Sequence, residues 1–134
     1  MRKLLIAAVI SLLSGCALVD AYLMTHYDPN EYQLITDIRA DAQQYRAQCA
    51  NEEASKLNAT KLAVSTQRFV LFSEHVPRNE NMIAASKQLN DMSKGLVDQY
   101  AKPAKVSAMF CKIKFENIET SADKMQKVIA GRPR

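Results

Sequence analysis

From residue 29 onward, apolar positions recur at alternating spacings of three and four, which gathers them on one side of a helix. One such stripe runs Ile35, Ile38, Ala42, Tyr45, Cys49, and another runs Cys111, Phe115, Ile118, Ala122, Met125, Ile129. Asp28-Pro29-Asn30-Glu31 is a helix start, with an Asp N-cap, proline at the first helical position and an acid in the first turn. No glycine or proline follows until Val76-Pro77-Arg78-Asn79, where Asn79 is placed to cap a second helix. That second run meets Lys102-Pro103, which predicts a kink or interruption, and ends at Gly131 with Pro133 beyond.

The two stripes predict their own register. With Cys49 beside Cys111 in antiparallel helices, Ile35 meets Met125, Ile38 meets Ala122, Ala42 meets Ile118 and Tyr45 meets Phe115, every pair of residue numbers totalling 160. Nearer the turn the matching pairs are Leu62 with Leu96, Phe69 with Leu89, Phe72 with Ala85 and Val76 with Met82, totalling 157 or 158. The small offset is what a kink near Pro103 would introduce. The architecture expected is all-α: a long antiparallel helical hairpin with arms over about 29–76 and 79–130, each roughly 70 Å long at 1.5 Å per residue. The rival is a three-helix bundle that reverses at Pro103. A single reversal there would carry Cys111 about 20 Å from the level of Cys49, too far for a disulfide.

Composition supports helix. Three Gly, four Pro and no Trp accompany many Ala, Gln, Lys, Leu and Met, residues that lose little rotamer freedom in helices. No internal repeat or low-complexity stretch stands out.

The first residues have a different build. Arg2 and Lys3 precede Leu4 to Leu13, apolar except for Ser11, and small residues lead to Cys16. This is the layout of a secretory signal, too short in its apolar part to span a bilayer. Leu13-Ser14-Gly15-Cys16 resembles the lipobox of bacterial lipoproteins. The resemblance covers the leader only. It implies diacylglycerol on the Cys16 thiol, cleavage before that residue and usually acylation of the new amine. Residues 1–15 are then a signal peptide, 16–28 a lipidated tether and 29–134 the helical domain. Removing 15 of 134 residues leaves 119, and losing Arg2 and Lys3 lowers the formal charge from +4 to +2. Such a charge carries no nucleic-acid signature.

Ala17 after the cysteine, where Asp would retain an enterobacterial lipoprotein in the inner membrane, implies the periplasmic face of the outer membrane. The other reading of this region is an uncleaved anchor, since Asp20 is the only charge between Leu4 and Met24. The apolar tether residues Leu18, Val19, Tyr22, Leu23 and Met24 fit either the membrane interface or a surface of protein.

Lipid on Cys16 leaves Cys49 and Cys111 as an even pair in an oxidising compartment, so a disulfide between them is expected, with two buried free thiols as the alternative.

Chemistry-bearing sets are missing from the sequence. His26 and His75 are far apart, with no helical His pair for a metal, no Gly-rich phosphate loop and no catalytic constellation, so neither an enzyme nor a cofactor is expected. Lys87, Asp91, Lys94, Asp98 and Lys102 predict an ion-pair ladder on a solvated face or a docking strip. Phe69 to Phe72 cover more circumference than one seam requires, which makes Val70, Leu71, Phe72 and His75 candidate partner contacts near the turn.

The function expected is therefore that of a lipid-anchored interaction protein presenting a helical rod to an envelope partner. In type it resembles secretion pilotins, small helical lipoproteins that escort secretins. The alternatives are a phage outer-membrane spanin, usually shorter and richer in proline, and a superinfection-exclusion lipoprotein.

Overall fold

The computed structural model describes residues 24–134; the leader, the lipobox and Cys16 lie outside the described residues. Four helices follow one another: α1 Pro29–Arg46, α2 Glu52–Ser73, α3 Glu80–Ala101 and α4 Ala108–Ala130. No strand occurs among the described residues.

Local chemistry accounts for most boundaries. The Asp28 carboxylate accepts from the N–H groups of Asn30 and Glu31 at 2.8 and 3.0 Å, opening α1 as its sequence predicts. Ser107 caps α4 by accepting from the Phe110 N–H at 3.1 Å, and α4 ends against Gly131.

Asn79 behaves differently from expectation. It sits at the N-cap of α3 but makes no capping bond with its side chain. Its amide turns inward, donating to Glu31 at 2.7 Å and to the Ser73 carbonyl at 3.1 Å.

The helices pair antiparallel in the predicted register. α1 lies along α4 and α2 along α3. The Tyr45 and Phe115 rings meet edge-on at 5.9 Å. Arg39 donates to Gln126 at 2.9 Å and pairs with Asp123 at 3.1 Å. Asn90 donates to the Gln67 side-chain oxygen at 2.9 Å, within the offset register of the second pair, and accepts from the neighbouring Thr66 at 3.1 Å. Ile35, Ile38, Leu62, Phe69, Leu89, Leu96, Phe115, Ile118 and Ile129 are buried in one continuous core.

The long hairpin does not form. Each expected arm is two helices, and α2 and α3 fold back against α1 and α4 to give an up-down-up-down bundle. Helices of 18 to 23 residues are about 27–35 Å long, half the length expected of each arm. The reversal in the first arm uses no glycine or proline. After Arg46 the chain tightens into short-range bonds, Ala47 N–H to Gln44, Gln48 N–H to Tyr45 and Asn51 N–H to Gln48. Asn51 then caps α2 by accepting from the Ala54 N–H at 3.0 Å. Ser55 and Asn58 reach back to Gln48, the first to its carbonyl at 3.2 Å and the second to its side chain at 2.7 Å.

The second arm reverses over residues 102–107 rather than kinking at Pro103. Because both arms turn at the same level, Cys49 and Cys111 stay together. Their Cα atoms are 5.8 Å apart, with the sulfurs at bonding distance. The three-helix alternative had only one of these two reversals.

Candidate functional site

The two ends of the bundle differ in chemistry. At the base, three stretches remote in sequence meet around Glu31, which is wholly buried. Its carboxylate accepts from Ser73 at 3.2 Å, from Asn79 at 2.7 Å and from the Arg132 guanidinium, which itself donates to Asn79 at 2.8 Å. Tyr27 N–H donates to the Pro133 carbonyl at 2.9 Å, Arg134 lies over the Tyr27 ring, and Thr25 donates to the Arg78 carbonyl. The chain therefore enters the bundle at the same end as the 74–79 turn and the C-terminus. The opposite end carries the cysteine pair.

This reverses the expected placement of the 74–79 turn, which belongs to the base rather than to a far tip. A buried charge with several fixed donors is a structural clasp; a cavity of about 670 Å³ adjoins its Asn79 and Arg132, but Glu31 itself does not line it.

Of the candidate contact residues, Val70 is core, 5% exposed, and Phe72 is half-buried. The extra apolar breadth around Phe69 thus includes a wider core. His75 is exposed, with Nδ1 2.9 Å from the Leu71 carbonyl at the end of α2, and Glu74 pairs with Lys87 at 3.1 Å. The two neighbours serve the turn and form no acid–base pair.

Leu71 does face outward, at 53% exposure, and it is not alone. Leu57 is 54% and Val64 57% exposed. The three recur at seven-residue intervals, so they form one straight stripe on α2. At 100° per residue, Val64 stands about 200° from the buried Leu62 and Thr66. Hence α2 is apolar on two opposite sides, one inside the bundle and one facing solvent. The spacing of Leu57 and Val64 was legible in the sequence, but it was hidden beneath the denser inward seam.

The outer side opens into a groove of about 520 Å³ between α2 and α3. Ala63, Val64, Leu71 and Val97 supply its apolar surface, with Arg68 on one rim and Lys94 and Asp98 on the other. No ion pair joins Lys94, Asp98 or Arg68 to any group among the described residues, and the members of the expected Lys–Asp ladder do not pair with one another. Lys61, seven residues before Arg68 on α2, interacts with Asp41, whose pKa is raised by burial and by Asp37 and lowered in part by that lysine.

No group of metal-ligating side chains occurs among the described residues, and none of the described helices is long and apolar enough to cross a membrane. Compared with family models, curated proteins and solved structures, the chain matches none.

Proposed function

We propose that this protein is a non-enzymatic, lipid-anchored accessory of the bacterial envelope. Residues 1–15 export it, lipid on Cys16 holds it at the periplasmic face of the outer membrane, and the bundle presents α2 to an envelope protein. The observation that carries the reading is the outward stripe Leu57, Val64, Leu71 beside a groove with charged rims. An apolar row with polar edges, left uncovered by the described residues, is the surface of an interaction protein.

The anchor gives the bundle an orientation. Seven residues lie between Cys16 and Met24, a distance of at most about 29 Å over eight steps, and Met24 lies by the base. The base then faces the membrane, the cysteine-bearing end points away, and the groove runs outward from the bilayer. A spanin reaching across the periplasm calls for a long rod; helices half as long as the roughly 70 Å arms favour a partner that comes to the side of the bundle.

Two measurements in intact cells test this. Membrane fractionation of the Cys16→Ser protein should move it out of the outer-membrane fraction. Photo-crosslinkers at positions 64 and 71 should capture one recurrent envelope protein that a crosslinker at exposed Thr120, on α4, does not. Retention of Cys16→Ser in the outer membrane would end the anchor claim. Identical capture from 64, 71 and 120 would end the docking claim.

A further inference from the structure

We propose that the α2–α3 groove binds a single amphipathic α-helix of another protein, with apolar residues at seven-residue spacing and carboxylates along its edges. The inference rests on the docking reading above and names the chemistry of the partner.

The spacing argues for a helix. Leu57, Val64 and Leu71 are two turns apart, the interval at which a helix lying alongside returns the same face. An extended strand places same-face side chains about 7 Å apart, and would not match successive positions about 10 Å apart along α2. The groove itself lies between two antiparallel helices, with Val97 of α3 facing the α2 apolar surface. A third helix laid there would take its apolar face into the trough, as in helix-in-groove recognition.

The charges argue for acidic edges. Arg68 on the α2 rim and Lys94 on the α3 rim flank the trough, against the single carboxylate of Asp98. Neither cation has an ion-pair partner among the described residues. A helix with carboxylates on both flanks would reach one cation on each side, while a lysine-flanked helix would meet only Arg68 on the α2 side and find a single counter-ion, Asp98, on the α3 side.

A second copy of this chain fits less well. Antiparallel pairing of two α2 helices about Val64 sets Lys61 of one against Arg68 of the other. Parallel pairing removes that clash, but the contact is then three apolar side chains per copy. A stable interface uses roughly 20–30 residues a side. In either pairing the visiting α2 is flanked by its own α1 and α3, which keeps it from sinking into the trough.

The test uses the mature chain, disulfide intact, and three synthetic helical peptides of about four heptads. One carries leucines at seven-residue spacing with glutamate flanks, one the same leucines with lysine flanks, and one the glutamate peptide with its leucine spacing scrambled. Fluorescence anisotropy should show the glutamate peptide binding at least tenfold more tightly than either control. Val64→Asp should weaken it at least tenfold, and Arg68→Glu with Lys94→Glu should turn the preference toward lysine flanks. Circular dichroism of each variant keeps loss of fold separate from loss of binding.

Equal affinity for the three peptides, or no binding by any of them, overturns the helix chemistry. So does self-association in sedimentation that Val64→Asp abolishes, since the occupant would then be a second copy. Position-specific crosslinking in cells together with a failed peptide test would leave docking standing and remove only the acidic helix.

Discussion

Glu31 and Arg132, 101 residues apart, form an ion pair at the base of the bundle with side chains 0% and 8% exposed. The pair ties the first turn of α1 to the segment after α4, and Asn79 adds the α2–α3 turn to the same cluster. Removing either charge leaves the other buried without a counter-ion, a change that costs about 3–5 kcal/mol in comparable sites. Glu31→Ala and Arg132→Ala should each lower stability by about that amount in urea titrations. The double variant Glu31→Leu with Arg132→Met should be more stable than either. Single losses under about 1 kcal/mol would mean that water reaches the cluster.

The Cys49–Cys111 pair closes 62 residues of sequence separation at the end of the bundle away from that clasp. In the chain-entropy treatment a cross-link of that span stabilises by about 4 kcal/mol. Reduction, or Cys49→Ala with Cys111→Ala, should lower the urea midpoint by a corresponding amount while leaving the helical content in place. Intact mass should rise by about 2 Da on reduction, the two hydrogens gained. An unchanged mass and midpoint would show free thiols.

The way the two cysteines meet also explains what was legible in the sequence. The seams and their register depend only on which residues oppose each other, and a hairpin and a folded-back bundle share those pairings. Tyr45 therefore lies against Phe115 in either architecture. What separates them is the reversal at 47–51, made by Gln48, Asn51, Ser55 and Asn58 through side-chain bonds. Polar residues of that kind also occur throughout exposed helix faces, so the reversal left no glycine or proline to mark it. The outer stripe was obscured for a related reason: Val70 and Leu71 are adjacent in sequence, but 100° of rotation puts one in the core and the other in solvent.

That division of α2 yields a paired prediction. Val64→Asp places a carboxylate in solvent and should change stability by about 0.5 kcal/mol or less, the usual range for surface substitutions. Val70→Asp buries a carboxylate without a partner and should cost several kcal/mol, on the order of 3 or more. Only the first should separate folding from docking, losing the position-71 crosslink while keeping the wild-type melt. A Val64→Asp protein as unstable as Val70→Asp would show that the outer stripe is covered by the chain itself.

Acid should weaken the bundle partly through Asp123. Lys127 donates to this carboxylate at 2.7 Å and Arg39 lies 3.1 Å away. The hydrogen bond from Lys127, opposed by a smaller desolvation and aided by the charges of Arg39 and Lys127, holds its pKa below the ordinary value. A depressed folded-state pKa means that the unfolded chain takes up the proton first. The contribution of Asp123 is then fully present above the ordinary carboxylate value of about 3.9 and is lost as pH falls through the folded-state value. Asp41 works in the opposite sense, because burial and Asp37 raise its pKa, and the cost of its charged form is relieved as pH falls. Melting curves of wild type, Asp123→Asn and Asp41→Asn at a series of pH values separate the two. The Asp123→Asn deficit should be largest at neutral pH and should close in acid, whereas Asp41→Asn should be more stable than wild type at neutral pH and lose that advantage in acid. A deficit for Asp123→Asn that stays constant from neutral pH to well below the ordinary carboxylate range would mean that the side chain contributes through packing, and that its links to Arg39 and Lys127 do not hold α1 against α4.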